Sequence, residues 1–280
     1  MAGSKSNFLL RVLTAVIGIP IVVAILTIGG VEGSAFFAWV ISTLMLLEFC
    51  LIVLGKVAVS EIVLILIANT VFHLMSLWVG QTFFGLPLVM SGFFFFFLMT
   101  LVAVHYSTEH KPTEQLSRHL MASFFGWIYC GVLPLFVPVI RAQENGSFWI
   151  ILMFVLVWAT DIGGYIFGKT IGKHGLYPEV SPKKTWEGAI GGIVLSWIVC
   201  AVAKHFFMNS MNWFDVIGLT LAISVFAQVG DLCESVIKRS FDVKDSGAIL
   251  PGHGGFLDRF DGVLFALPIM YAFLRLFQMT

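Results

Sequence analysis

Long apolar stretches dominate this chain and limit the folds that are open to it. Of its 280 residues, 59% are hydrophobic and 11% are charged, whereas about a quarter of the residues in a soluble domain are charged. So few charges cannot cover the surface of a soluble protein of this length. A membrane-spanning helix needs about 20 mostly apolar residues, and it satisfies its own backbone hydrogen bonds in lipid. The composition therefore predicts an integral membrane protein and excludes a disordered chain.

Nine stretches have the length and composition of a transmembrane helix. They are Phe8–Gly29, Ser34–Leu54, Val57–Val79, Phe83–Val104, Leu120–Ile140, Ser147–Gly168, Gly188–Phe207, Trp213–Gly230 and Phe260–Phe277. The first resembles a signal peptide, but its apolar core, Val12–Ile28, is longer than is usual for one. We interpret it as a retained helix. The sequence thus predicts an all-α polytopic membrane protein with about nine transmembrane helices.

The positive charges indicate how these helices are oriented. If the N-terminus is cytoplasmic, 13 of the 16 Lys and Arg residues lie on the cytoplasmic side, and only Arg141, Lys204 and Arg275 lie on the other. Membrane proteins carry their excess of Lys and Arg in cytoplasmic loops. An odd number of helices then places the C-terminus outside. The 16 basic and 16 acidic residues balance, which argues against a nucleic-acid binder.

The two halves of the chain differ in polarity. We expect residues 1–145 to form a scaffold of transmembrane helices, with a lipid-tail groove as its candidate feature. Residues 146–280 contain ten of the 16 acidic residues and two long cytoplasmic loops, so we expect the catalytic region there. Glu48 and Glu61 fall in the cytoplasmic halves of the second and third spans. For these two glutamates, structural pairing and a functional role remain equal alternatives.

The densest polar segment follows the eighth span. Asp231, Glu234 and Lys238 recur at i, i+3 and i+7, so they share one helical face. Asp258 and Asp261 also lie three residues apart. Carboxylates without His or Cys partners suit a hard cation such as Mg²⁺, and neighbouring Lys and Arg suit phosphates. Asp258 alone would be typical of a helix cap, but a cap leaves Asp261 unexplained. The segment therefore predicts a site for a metal-bound polyphosphate.

A second polar segment begins inside the sixth span. Asp161 lies eight residues before Lys169, which is about 12 Å along a helix. An unpaired charge at that depth is costly, so we expect Asp161 to pair, with Lys169 as a candidate, or to face a polar cavity. Ser181, Lys184 and Thr185 precede the seventh span. A hydroxyl and a lysine before a helix start are typical of an anion site, although either hydroxyl alone is also typical of a cap.

These motifs resemble those of a known family. Residues 235–261 read S-x-x-K-R-x4-K-D-x-G-x-x-x-P-x-H-G-G-x-x-D-R-x-D, which is similar to the signature of phosphatidate cytidylyltransferases, the CDP-diacylglycerol synthases. The segments around Asp161, Ser181 and Asp231 also resemble that family, so the likeness covers about residues 150–262. Cys233 and Gly262 depart from the residues that are common in the family at those positions.

The resemblance implies an activity and its partners. It implies transfer of CMP from CTP to phosphatidate, which gives CDP-diacylglycerol and pyrophosphate in phospholipid biosynthesis, with Mg²⁺ required and one or two metal ions. The substrates would be CTP and phosphatidate, membrane lipid would surround the protein, and no nucleic acid would be involved. The oligomeric state, including a homodimer, stays open. We expect a bacterial inner membrane and an active site that faces the cytoplasm.

The candidate site residues form three sets. The expected metal ligands are Asp231, Asp258 and Asp261. The expected catalytic residues are Lys238, Arg239, Lys244, Arg259 and His253, of which the four cations would grip phosphates and His253 is interpreted first as positioning its loop. The expected substrate-binding residues are Ser181, Lys184, Thr185, Asp161, Lys169 and Glu234, of which Asp161 and Glu234 are second-choice metal ligands.

Two other classes of function remain alternatives from the sequence. A CTP-dependent polyprenol or lipid kinase would use a similar site, but residues 235–261 resemble the cytidylyltransferases more completely. A secondary transporter or cation channel would use Asp161, Glu48 and Glu61 as an ion path. Transporters place their sites near the midplane and often show inverted repeats, whereas the charges here cluster at one face and the sequence shows no repeat.

Overall fold

Helices make up almost all of the structure. The computed structural model describes residues 16–53, 59–78, 113–208, 211–247, 249 and 254–277. The α-helices are α1 (Val16–Ile28), α2 (Gly30–Val53), α3 (Val59–Trp78), α4 (Thr113–Gly126), α5 (Phe136–Arg141), α6 (Gly146–Ile171), α7 (Trp186–Phe207), α8 (Trp213–Ser240) and α9 (Leu257–Leu276). A π-helix (Trp127–Val132) and a 3₁₀-helix (Leu133–Leu135) join α4 to α5. A hairpin of β1 (Gly175–Tyr177) and β2 (Ser181–Thr185) lies between α6 and α7.

Five helical segments among the described residues are long and apolar enough to cross a membrane. They are Gly30–Val53, Leu120–Arg141, Gly146–Ile171, Trp186–Phe207 and Trp213–Ser240. Every predicted span except Phe83–Val104 overlaps helical structure among the described residues, and Phe83–Val104 and the first residues of Phe8–Gly29 lie outside them. The helices therefore support the fold class of an all-α membrane protein, while the count of nine spans stays a prediction.

Helix α8 is longer than the apolar pattern predicted. Its N-cap is Asn212, directly before Trp213, and the side-chain oxygen of Asn212 accepts a hydrogen bond from the backbone N–H of Asp215 at 2.9 Å. The helix does not end at Gly230, where hydropathy falls, but runs on to Ser240. Residues 231–240 therefore extend the apolar segment as a polar helical end, which carries four of the predicted site residues: Asp231, Glu234, Lys238 and Arg239.

The two described strands form a hairpin between two helices. The sequence predicted a loop for this segment, so the hairpin departs from the predicted all-α fold. Its strands pair antiparallel, with Gly175 opposite Thr185 and Tyr177 opposite Ser181. The carboxylate of Glu187, in the first turn of α7, accepts the backbone N–H of Lys173 at 3.0 Å. This contact ties the approach to β1 against the helix that follows β2.

The chain divides into two compact units, of which the first comprises Met1–Ala142 and Ser246–Leu257. Helix α2 buries Met45 and Leu46 completely in this unit. Asn69 on α3 donates a hydrogen bond to Ser42 on α2 at 3.0 Å. Because both side chains are buried, this bond satisfies polar groups that would otherwise be costly in an apolar core.

The second unit comprises Gln143–Asp245 and Asp258–Thr280. Glycines allow α6 and α7 to pack closely in this unit. A Cβ added at Gly163 would lie 2.7 Å from the carbonyl oxygen of Gly191, and one added at Gly192 would lie 2.6 Å from that of Thr160. Helix α8 joins this pair through the Thr160 hydroxyl, which lies 2.9 Å from that of Ser224. The second unit is thus built on a tightly packed three-helix core.

Candidate active site

The polar ends of α8 and α9 carry the carboxylates of the site. Asp231 and Glu234 lie in the C-terminal half of α8, and Asp258 and Asp261 lie in the first turns of α9. All four belong to the second unit. The two helices approach closely at Gly230, where an added Cβ would press against the backbone carbonyl of Asp261. A glycine at this position therefore lets the carboxylates of the two helices come together.

Asp231, Glu234 and Asp261 form an acidic cluster. One carboxylate oxygen from each residue lies within 4.8 Å of the others. Like charges this close repel one another, so three carboxylates in one place favour a bound cation. Asp231 and Asp261 are predicted metal ligands. Glu234 is predicted first as a substrate-binding residue and only as a second choice of metal ligand.

Glu234 is the most informative member of the acidic cluster. Its side chain is 2% exposed, and its Oε1 atom has no hydrogen-bond partner among the described residues. A buried carboxylate oxygen without a partner is costly. A metal ion held by oxygens of the three carboxylates would satisfy this atom, and an all-oxygen ligand set suits a hard divalent cation. The residues present therefore fit a metal site.

Lys238 neutralises two carboxylates at the edge of the acidic cluster. Its Nζ atom lies 2.6 Å from Oε2 of Glu234 and 2.6 Å from Oδ1 of Asp258. All three side chains are nearly buried, with 11%, 2% and 10% exposed. The structure thus pairs Asp258, a predicted metal ligand, with a lysine, and it groups Glu234 with the two other predicted ligands.

Lys184 links the hairpin to the acidic cluster. Its Nζ atom, on β2, lies 2.5 Å from Oδ2 of Asp231 on α8. Lys184 Nζ makes no hydrogen bond of good geometry with the described residues beyond this ion pair. This buried ammonium group therefore has N–H donors that an anionic ligand in the cleft would satisfy, since an ammonium group acts as a point charge.

A cleft of about 350 Å³ lies beside the acidic cluster. Its volume falls in the range of about 300–1,000 Å³ that is typical of ligand pockets. The cleft is formed by α6, the hairpin, α7 and α8. Its lining residues are Thr160, Asp161, Gly164, Tyr165, Leu176, Ser181, Lys183, Lys184, Thr185, Gly188, Ala189, Gln228 and Asp231. Asp231 belongs to both the cleft and the acidic cluster, so a ligand in the cleft would reach a cation held there.

Four of the six predicted substrate-binding residues line the cleft: Asp161, Ser181, Lys184 and Thr185. The hydroxyl of Thr185 accepts the backbone N–H of Gly188 at 3.1 Å and so caps α7. Lys169 has a different surrounding: its Nζ atom lies 3.4 Å from the Tyr165 hydroxyl and 5.5 Å from that ring's centroid. Within the described residues, no ion pair joins Lys169 to Asp161.

The remaining predicted cations have varied positions. Arg239 donates hydrogen bonds from Nε to the carbonyl of Val180 at 3.4 Å and from Nη1 to that of Val243 at 3.1 Å. It thereby fastens the hairpin turn to the end of α8. Lys244 and Arg259 are exposed. His253 lies outside the described residues.

Sequence reasoning missed Gln228. This residue lies in the cleft, and its Nε2 donates a hydrogen bond to the carbonyl of Ala189 at 3.3 Å. Gln228 precedes Asp231 by three residues on α8, so the helical spacing that grouped Asp231 with Glu234 also places Gln228 on that face. That spacing was a usable signal.

A sequence model described as the cytidylyltransferase family matches residues 9–277. This chain belongs to the cytidylyltransferase family. The match covers both units, and it confirms the family that residues 235–261 resemble.

Relatives of this cytidylyltransferase-family chain carry a more specific name. Proteins named phosphatidate cytidylyltransferase are 51% identical over 130 residues in Staphylococcus aureus strain COL and 44% identical over 152 residues in Bacillus subtilis strain 168. These alignments cover 46% and 54% of this chain, and 50% and 56% of the relatives. A protein of the same name from Staphylococcus haemolyticus strain JCSC1435 is 48% identical over 135 residues, or 48% of this chain and 52% of the relative. The chain thus spans about half the length of the curated relatives it matches.

Proposed function

We propose that this chain is a phosphatidate cytidylyltransferase, which transfers CMP from CTP to phosphatidate and releases pyrophosphate. One observation carries the proposal: Asp231 belongs both to a cluster of three carboxylates and to a cleft that also contains Lys184. A reaction between a triphosphate and a phosphate monoester needs a cation site and ammonium groups together, because both reactants are anions. Family membership and the names of the relatives support the same activity.

The metal in this proposal is Mg²⁺, and the acidic cluster would hold it. Bound there, Mg²⁺ would supply positive charge to the phosphate oxygens of CTP and to the departing pyrophosphate. Asp231, Glu234 and Asp261 are the proposed ligands, and the orphaned Oε1 of Glu234 supports that set. Asp258, the third predicted ligand, stays a candidate for the metal and forms an ion pair with Lys238.

The cations have distinct proposed tasks. Lys184 would grip a phosphate in the cleft with the N–H donors that its ion pair leaves available. Lys238 would hold Glu234 and Asp258 in place, and Arg239 would keep the hairpin against α8. The exposed Lys244 and Arg259 would reach phosphates from outside the cleft. The predicted roles of Lys169 and His253 stay predictions.

The chemical step in this proposal needs positioning more than acid–base catalysis. A phosphate oxygen of phosphatidate attacks the α-phosphorus of CTP, a new P–O–P bond forms, and the bond between the α-phosphorus and the bridging oxygen to the β-phosphate breaks. Pyrophosphate leaves with the electron pair of that bond. The attacking phosphate is largely ionised at neutral pH, so no side chain has to remove a proton. The protein's task is to hold two anions in line against their mutual repulsion.

The proposed setting is a bacterial inner membrane, with nine transmembrane helices, a cytoplasmic N-terminus and an external C-terminus. Five described helices with the length and apolarity of membrane spans and the bacterial relatives support this setting. The polar end of α8 and the cleft would then face the cytoplasm, where CTP is supplied. Residues 1–145 would act as a scaffold with a groove for the acyl chains, and residues 146–280 would carry the catalytic groups.

A transfer assay tests the proposed function. Purified protein in mixed micelles should move label from CTP into a chloroform-soluble product only when phosphatidate and Mg²⁺ are both present. Replacement of phosphatidate with diacylglycerol or a polyprenol should abolish the signal, because neither offers a phosphate nucleophile. Incorporation of label into a polyprenol, or none into any lipid, would contradict the proposal.

A further inference from the structure

Glu48 binds a loop that lies about 200 residues further along the chain. Its Oε2 atom accepts the backbone N–H of Leu257 at 2.9 Å and the hydroxyl of Ser246 at 3.1 Å. Its Oε1 atom accepts the backbone N–H of Phe256 at 3.1 Å. Glu48 is 1% exposed and lies on α2, and all four residues belong to the first unit. The groups that donate these three hydrogen bonds to Glu48 are neutral.

Two glycines of the same loop are shaped around this carboxylate. A Cβ added at Gly247 or at Gly255 would press against the carboxylate oxygens of Glu48. Neither glycine has a positive φ, in contrast to Gly254. At both glycines, the nearby Glu48 carboxylate leaves no space for a side chain, and at Gly255 the Ser246 hydroxyl also occupies that space. The backbone conformation itself does not require glycine at either position.

The bonded backbone groups lie where a helix begins. Leu257 is the first residue of α9, and the first N–H groups of a helix have no partner within the helix. A carboxylate that accepts such groups is stabilised by the helix dipole and by charge-assisted hydrogen bonds. Asp258 follows Leu257 directly in the chain. The position of the Leu257 backbone therefore fixes the first residue of α9 and, through the chain, the backbone position of Asp258.

We propose that Glu48 is a positioning residue for the proposed cytidylyl transfer: it fixes the backbone of Phe256 and Leu257 and thereby the first residue of α9. The proposal rests on the proposed function for its effect on catalysis, but its structural part does not. Glu48 is a member neither of the acidic cluster nor of the cleft lining. Its effect on the reaction would pass through the loop backbone.

Hydrogen exchange tests the structural part without any substrate. In Glu48→Ala and in Glu48→Gln, the amides of Phe256 and Leu257 should exchange on the order of tenfold faster than in the wild type, because each loses a charge-assisted bond. Glutamine keeps the side-chain shape and one acceptor oxygen, so its effect should be the smaller. Glu32→Gln is the matched control, because Glu32 is exposed in the first turn of the same helix. Unchanged exchange in both Glu48 variants would overturn the proposal.

Kinetics tests the catalytic part. Glu48→Ala should lower kcat by about 10- to 100-fold, the range typical for residues that orient metal ligands. The KM for CTP should change less than about twofold if CTP binds in the cleft, whose lining residues belong to the second unit. Glu48→Gln should restore part of kcat. Faster exchange with an unchanged kcat would refute a role of Glu48 in catalysis. If the wild type shows no transfer activity, the proposed function is refuted, and the hydrogen-exchange result still tests the structural part of the proposal.

A paired substitution separates positioning from a general loss of stability. Gly247→Ala alone should lower kcat, because its methyl group would press against the Glu48 carboxylate. In the Glu48→Ala/Gly247→Ala double variant that methyl group has space, so the second substitution should cost little beyond the first. Additive losses in the double variant would show that the two residues act independently, which contradicts the proposal.

Discussion

The Nζ atom of Lys184 on β2 lies 2.5 Å from Oδ2 of Asp231 on α8. Both side chains line the cleft and are 27% and 34% exposed, whereas the Nζ atom of Lys184 is itself buried. On the proposed function, a phosphate would compete for the lysine and a divalent metal ion for the aspartate, because each carries more charge than the side chain it would displace. Binding of a metal-bound triphosphate would therefore divide this ion pair into a lysine–phosphate contact and an aspartate–metal contact.

Removal of Lys184 should weaken nucleotide binding. In Lys184→Met the cleft loses an ammonium group that has N–H donors available, so we expect the KM for CTP to rise about tenfold, the effect of a lost charged hydrogen bond. Initial rates at varied CTP check this expectation. Lys173→Met is the matched control, because Lys173 is exposed on the approach to the same hairpin and does not line the cleft. Equal effects of the two substitutions would refute the assigned role of Lys184.

Glu234 should control metal affinity. We expect Glu234→Gln to raise the Mg²⁺ concentration for half-maximal activity by about 10- to 100-fold, because the acidic cluster loses one charged ligand. Mn²⁺ binding followed by electron paramagnetic resonance checks the same change without turnover. Glu179→Gln, at an exposed position in the hairpin turn, should leave both readouts unchanged. If Glu234→Gln binds Mn²⁺ as the wild type does, Glu234 is not a ligand.

The sequence predicted most of the helices but not the composition of the acidic cluster. The length of an apolar stretch locates membrane helices well, because a backbone in lipid must satisfy its own hydrogen bonds. The same measure ended the eighth span at Gly230, although α8 runs to Ser240, because hydropathy reports lipid contact and not helix formation. The two short hairpin strands have no apolar alternation, so nothing in their pattern distinguished them from a loop.

The site's long-range contacts could not be predicted from spacing. Helical periodicity placed Asp231 and Glu234 on one face, but only the packing of α8 against α9 at Gly230 brings Asp261 to them. Whether Lys238 pairs with Asp258 depends on the same packing. The partners of Glu48 lie up to 209 residues away, and no local pattern indicates them. Glu61 has no described side-chain environment, so its role stays a prediction.

Lys238 should matter for stability as well as for activity. Lys238→Met leaves the buried carboxylates of Glu234 and Asp258 without their shared cation, and loss of one partner of a buried ion pair costs about 3 kcal/mol or more. We expect thermal unfolding in detergent to shift down by several degrees. Addition of Glu234→Gln to this variant should recover part of the loss, since it removes one of the two charges. No recovery would indicate that the ion pairs contribute little.

Helix packing in the second unit should not tolerate added methyl groups. Gly192→Ala places a Cβ 2.6 Å from the carbonyl oxygen of Thr160, so α6 and α7 must separate, at a cost of about 1–3 kcal/mol. Gly218→Ala on α8 is the control, because nothing lies within 4 Å of its added Cβ, and a helical alanine is favoured there by about 0.5–1 kcal/mol. Thermal unfolding should therefore move in opposite directions. Equal shifts would contradict the close packing.

The position of the label that reaches lipid tests the central claim most directly. CTP labelled at its α-phosphate and CTP labelled at its γ-phosphate are each incubated with purified protein, phosphatidate and Mg²⁺, and the lipid and aqueous products are counted separately. Cytidylyl transfer predicts that the α-label enters the lipid product and that the γ-label is recovered as pyrophosphate, in equal amounts. Entry of the γ-label into lipid would show phosphoryl transfer by a kinase and would contradict the account.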